Sequence, residues 1–176
     1  IPVFNKAKVE KLVKNDQGAV AGVVASVDGQ TKQINAKAVL LATGGFGASK
    51  DYIKRYRPDL ADYKTTNQPG ATGDGLKLAE EVGAQLTQMN FVQVHPTVQQ
   101  DNPHVYLIGE AVRGEGAILV NFQGKRFVNE LNTRKIVSET ITALPEHSAY
   151  LIFDQGVRDH AKAIEFYDKV GLVVHG

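Results

Sequence analysis

The chain has 176 residues, 43% hydrophobic and 22% charged, an ordinary globular balance for one domain or parts of two. A formal net charge of +1 gives no electrostatic case for nucleic acid or a membrane surface. Without any cysteine, the segment has no disulfides, thiolate metal sites, iron–sulfur ligation or C-x-x-C-H haem attachment.

In chain order, the first third reads as β structure. Val9–Val13 is a short strand, Asn15–Gly18 a polar turn, and Val20–Val27 a second apolar run. Asp28-Gly29 is a hairpin signal, after which Thr31–Asn35 returns. Ala38–Ala42 is an uninterrupted apolar run, the pattern of a strand buried on both faces, and it ends in Thr43-Gly44-Gly45. Ser49–Tyr56 reads as a helix capped by Ser49 and stopped by Pro58, and Thr65–Gly73 as a loop. Asp74 is the expected N-cap of a helix with Leu76, Leu78, Ala79 and Val82 on its apolar stripe, ending at Gly83. Further helices are expected at Thr133–Ala143 and Gln155–Val170. A hairpin turn at Phe122–Lys125 should join Ile118–Asn121 to Arg126–Val128, and Ala149–Phe153 should form another strand. Mixed strands and helices imply an α/β (α+β) arrangement, with a boundary near residue 90. No apolar run approaches the roughly 18 residues of a membrane span.

Candidate chemistry is concentrated in the second half. His95 stands in Val-His-Pro-Thr, where a loop histidine bonded to backbone is the ordinary reading. Glu110 and Arg113 are three apart and could pair on a helix, but Gly109, Gly114 and Gly116 argue against a long one. Arg134 follows Asn132-Thr133 at a helix start, and its planar, permanently charged guanidinium suits a carboxylate clamp. His104, His147, His160 and His175 lack metal-ligand spacing, and no metal site is expected. No G-x-G-x-x-G occurs; neither Gly44-Gly45-Phe46-Gly47 nor Gly73-Asp74-Gly75 has that spacing.

The order Val-His-Pro-Thr, Gly-Glu-Ala-Val-Arg-Gly-Glu-Gly at 109–116, Gly-Lys-Arg-Phe-Val-Asn-Glu at 124–130 and Thr133-Arg134 resembles the flavoprotein subunits of the fumarate reductase and succinate dehydrogenase family. It is most similar to the soluble flavocytochrome c type. The resemblance implies a partial FAD-binding domain over 1–90 and part of the substrate-capping (clamp) domain over 91–176. It implies FAD as cofactor in the intact enzyme, contacted by Val9, Thr43, Gly44, Gly73 and Asp74. The substrate would be a small dicarboxylate, with His95 on one carboxylate and Gly109 beside it. Arg134 would be the general acid, resupplied with protons by Arg113 and Glu110. Gly109 departs from the family, whose flavocytochrome members typically carry threonine there, and this leaves the identity of the acid open.

The chain begins at Ile1 and its sole methionine is Met89. With the resemblance, this leads to the expectation of a central piece whose partner is the remainder of the same polypeptide, and which alone neither binds FAD nor turns over. Related reductases of urocanate, methacrylate or another 2-enoate are the nearest alternatives, L-aspartate oxidase a more distant one. A non-enzymatic interaction module retaining the fold is the alternative of another class. Localisation stays open between cytoplasm, the favoured reading, and periplasm.

Overall fold

The computed structural model describes residues 2–99, 101 and 103–176. The chain divides into two compact units, one ending at Val92 and one running from Gln93 to Gly176. Among the described residues, no helix is long and apolar enough to cross a membrane.

The first unit opens on an antiparallel meander, β1 (Ala7–Lys14), β2 (Val20–Val27) and β3 (Gln30–Asn35). The Asn15 carboxamide accepts from the amides of Gln17 (3.1 Å) and Ala19 (2.9 Å), shaping the first turn. Asp28 (φ 51°) and Gly29 (φ 78°) form the second, a left-handed pair matched to strand twist. The sheet buries Leu12, Ala25 and Val27, and β1 carries a register shift between Val9 and Lys11. Gly22 lies so close to β3 that a Cβ would sit 2.4 Å from the Ile34 carbonyl oxygen. Backbone cannot yield there, so Gly22→Ala is expected to cost about 2 kcal/mol, the scale of core overpacking. Denaturant unfolding checks it, and an unchanged midpoint would contradict this close approach.

Ala38–Ala42 is not a strand. Leu40 is 89% exposed, and none of the described strands pairs with the segment. Its apolar run met the composition of a buried strand, but a strand needs a hydrogen-bonded neighbour on at least one edge. Beyond it come α1 (Lys50–Tyr56), where the Ser49 hydroxyl accepts from the Tyr52 amide, a 3-10 turn at Pro58–Leu60, and α2 (Asp74–Glu81). Asp74 is the first helical residue, not the cap. Gly73 (φ 81°) takes the cap position, and the Asp74 carboxylate accepts from the Thr72 hydroxyl (2.9 Å). The left-handed φ at the junction favours glycine, which displaces the side-chain cap.

In the second unit, β4 (Val98–Gln99) pairs with β5 (Tyr106–Leu107), and α3 (Glu110–Gly114) follows. The antiparallel partner of β6 (Ile118–Val120) is β7 (Tyr150–Ile152). The expected strand at Arg126–Val128 reduces to a single bridge, Val120 to Arg126, because Phe127 and Val128 turn to pack against the core of Leu119, Val137 and Ile141. α4 (Arg134–Thr142) supplies the last two of those residues and is capped by Thr133. The expected helix over Gln155–Val170 is two: α5 (Gln155–His160), capped by Asp154, and α6 (Ala163–Lys169). Ala161 leaves helical geometry between them and is buried with Val112, Ala117, Val157 and Ile164. Packing that cluster outweighs the hydrogen bonds of a continuous helix. Leu151 touches both clusters and joins them.

Candidate active site

His95, Glu110, Arg113 and Arg134 come together in the second unit, although β4, β5, α3, β6 and the turn after it separate His95 from Arg134 along the chain. α3 sets Glu110 and Arg113 at its two ends, and the Thr133 cap fixes where Arg134 enters α4. Glu110 does not pair with Arg113. Its Oε1 accepts from Arg134 Nε, and the same oxygen lies 3.6 Å from His95 Nε2. Arg134 Nη1 donates to the Gln93 carboxamide oxygen. A cavity of about 310 Å³ is lined by Glu110, Arg113, Glu130, Thr133 and Arg134 among others.

Arg113 is only 4% exposed, yet among the described residues it makes no hydrogen bond or ion pair to a carboxylate. Its Nη1 donates to the Glu130 carbonyl (2.6 Å), and its Nε is buried without a partner among the described residues. Burial pulls the guanidinium below its ordinary pKa, an effect the Glu110 charge opposes. The Glu130 carboxylate, 2% exposed, faces the other way: it accepts from the Leu119 amide (2.8 Å) and from Arg126 Nη2 (2.6 Å). Burial alone would raise its pKa, but the Arg126 and Leu119 hydrogen bonds hold it below the usual range.

His95 takes the backbone-bonded arrangement expected of a loop histidine. Nδ1 lies 3.3 Å from the Thr97 amide and 3.1 Å from the Thr97 carbonyl. Among the described residues Nε2 is buried without a hydrogen bond, and it is directed to the Glu110 side. Burial pushes the imidazole below its ordinary pKa, with the Glu110 carboxylate opposing. In the neutral tautomer that accepts from the Thr97 amide, Nε2–H is free to donate to an anion.

Arg134 holds the Glu110 carboxyl down to about 2, from 4.5, chiefly through their hydrogen bond, and the same bond raises the Arg134 guanidinium. The folded value is depressed, so the pair's stabilisation is complete above about 4.5 and lost as pH falls towards 2. Carbon-13 NMR of the Glu110 carboxyl should therefore show titration near 2, returning to the ordinary glutamate range in Arg134→Ala. An unshifted Glu110 in the parent protein would contradict the pairing.

The residues expected at the dinucleotide lie in the first unit. The Thr43–Ala48 and Asn67–Gly75 segments run side by side: the Gly73 amide donates to the Gly45 carbonyl (3.1 Å) and the Ala48 amide to the Ala71 carbonyl (2.9 Å). Thr43 packs onto Gly75, where a Cβ would meet the threonine hydroxyl at 2.0 Å. Gly44 and Gly45 have open space where their side chains would be, so a dinucleotide can approach their backbone to contact distance. The residues present thus fit the backbone-contacting part of an FAD site. Val9 stands apart from this pair of loops, on β1 opposite Ala25 and 36% exposed.

Gln93, Glu130 and Tyr167 are site residues that sequence reasoning missed. Tyr167 reaches Gly109, whose amide donates to its hydroxyl (3.1 Å). Glu130 ends the motif at 124–130 without a role of its own having been assigned, and the contacts of Gln93 and Tyr167 span 41 to 60 positions of sequence.

The chain belongs to the FAD binding domain family, whose model matches residues 1–165. It is 46% identical over 174 residues to the NADH:fumarate oxidoreductase of Klebsiella pneumoniae, covering 98% of this chain and 18% of that protein. It is 43% identical to the probable fumarate reductase Ifc3 of Shewanella frigidimarina, covering 97% of this chain and 29% of the relative. An open conformation of a flavocytochrome c3 fumarate reductase matches with a TM-score of 0.71 at 44% identity, over 92% of this chain and 28% of that one. The chain therefore spans less than a third of the length of these relatives.

Proposed function

We propose that the full-length protein is an FAD-dependent reductase of a short unsaturated dicarboxylate, with fumarate as first substrate and succinate as product. The observation that carries this reading is the buried Arg113 guanidinium, which among the described residues is unpaired with any carboxylate, grouped with Arg134, Glu110 and an imidazole whose Nε2 makes no hydrogen bond among those residues. Two cations and a neutral N–H donor suit two carboxylates, and polarising one of them stabilises charge that develops on the alkene. Bound FAD, in its reduced form, supplies the hydride.

His95 Nε2–H holds a substrate carboxylate, and Arg134 delivers a proton to the alkene carbon that receives no hydride. Free arginine is far too weak an acid for this, so the proton must be replaced at once. The hydrogen bond from Arg134 Nε to Glu110 supports giving Glu110 that task. Its low pKa belongs to the resting pair, because the charge on Arg134 causes it. Once Arg134 has given up its proton, that charge is gone and Glu110 regains proton affinity, which makes it a carrier. Arg113, from its buried place at the other end of α3, completes the relay that returns protons to Glu110.

Steady-state reduction by the full-length enzyme, with an artificial one-electron donor and fumarate, urocanate or methacrylate as acceptor, tests the proposal. Fumarate is expected to have the highest kcat/KM. A higher value for either monoacid would overturn the dicarboxylate assignment, and no turnover with any of the three would overturn the reductase reading. Glu110→Gln is expected to lower kcat by about tenfold or more while KM stays near its original value, the pattern of a lost proton-transfer step. A raised KM at unchanged kcat would make Glu110 a binding residue instead.

A further inference from the structure

α3 has only five residues, too few to hold its own register, so the direction of Glu110 depends on what anchors the chain before it. Leu107, Ile108 and Gly109 are held from two sides. Thr97 takes the middle residue: its hydroxyl donates to the Ile108 carbonyl (2.6 Å), and its own carbonyl accepts from the Ile108 amide (3.0 Å). Tyr167, on α6, takes the flanking two. Its hydroxyl donates to the Leu107 carbonyl (3.2 Å) and accepts from the Gly109 amide (3.1 Å). The ring packs against the cluster of Val112, Ala117 and Ile164, which also holds the buried face of α3.

We infer that Tyr167 is a positioning residue for the proton relay: its hydroxyl fixes the backbone on either side of Ile108, and so sets where α3 begins and where Glu110 meets Arg134 and His95. The inference rests on the relay proposed above for its kinetic consequence, but the anchor itself is a matter of geometry. Gly109 has no side chain of its own with which to secure this turn, and Tyr167 secures it through the amide. The hydroxyl bridges a donor and an acceptor two residues apart, so one atom restrains the chain at both ends of a single turn.

Tyr167→Phe keeps the ring and its packing but removes both hydrogen bonds. In the full-length holoenzyme, hydrogen exchange across 107–114 is expected to accelerate by about tenfold while exchange at Ile118–Val120 holds steady. The turnover number should fall by about tenfold, with KM for fumarate within about threefold of the parent. Combined with Glu110→Gln, the Tyr167→Phe change should add less than about a further twofold, because both act on one step. Unchanged exchange at 107–114 would overturn the anchor. Accelerated exchange with a kcat loss that multiplies independently of Glu110→Gln would overturn the positioning role and reduce Tyr167 to a packing contact. Wild-type kcat in Glu110→Gln alone would instead overturn the relay, and with it the kinetic role of Tyr167, while the exchange measurement still decides the anchor.

Discussion

Arg134→Ala in the full-length enzyme is expected to lower kcat for fumarate by about a hundredfold to ten-thousandfold, the range for losing a positioned acid, while FAD stays bound. Such a loss corresponds to about 3–5 kcal/mol of transition-state stabilisation. The guanidinium enters the site from the first residue of α4 and meets Glu110 and Gln93 there. The FAD contacts expected in the first unit do not involve it. Arg134→Lys should be nearly as impaired, since an ammonium keeps the charge but cannot satisfy Glu110 and Gln93 in one planar fork. Steady-state kinetics with the flavin absorbance recorded on the same sample checks both. Retention of more than about a tenth of kcat, a loss below about 1.4 kcal/mol, would remove Arg134 as the proton donor.

The second large effect concerns stability. Glu130→Ala is expected to destabilise the second unit by about 3 kcal/mol, by leaving the Leu119 amide unsatisfied in a buried place and opening a void. Arg126 adds little to this, because it is 60% exposed and water takes over its hydrogen bonds. Glu130→Gln should recover part of the loss, since an amide oxygen still accepts from Leu119. The pH dependence separates the two. Glu130 has a depressed folded pKa, so its ionic contribution is present above the unfolded value and disappears as pH falls through the folded one. Glu130→Gln should therefore flatten the acid limb of stability against pH. Denaturant unfolding across pH 3 to 7 measures it, and an acid limb as steep as the parent's would assign the dependence to other carboxylates.

The sequence made the four candidate site residues legible because each sits in a distinctive local context. His95 precedes proline, Glu110 and Arg113 lie between glycines, and Arg134 follows a capping threonine. Their family pattern gave them roles; folding decided their pairing, and Glu110 joined Arg134 instead of its neighbour Arg113. Strands β2 and β3 were legible from period and turn chemistry, and α4 from its cap. Ala38–Ala42 misled because hydrophobicity says what a segment tolerates around it, not which backbone pairs with it. Gln155–Val170 misled because helical period runs smoothly through Ala161, while the break there answers to a cluster that includes Val112 and Ala117, far back along the chain. Gln93 and Tyr167 act through single atoms aimed at distant backbone or side chains, and the Glu130 carbonyl reaches Arg113 in the same way. No residue spacing records such an aim.

The way Arg134 is gripped bears on the handedness of the product. Two of its three nitrogens are engaged, Nε by Glu110 and Nη1 by Gln93, and among the described residues no hydrogen bond occupies Nη2. A fork held at two prongs cannot turn, so the remaining nitrogen can approach an alkene from one side only. If the proposed reaction is run in deuterated water, both alkene carbons take deuterium and the 2,3-dideuterosuccinate should be a single diastereomer; loosening the grip through Gln93→Ala should let the other diastereomer appear.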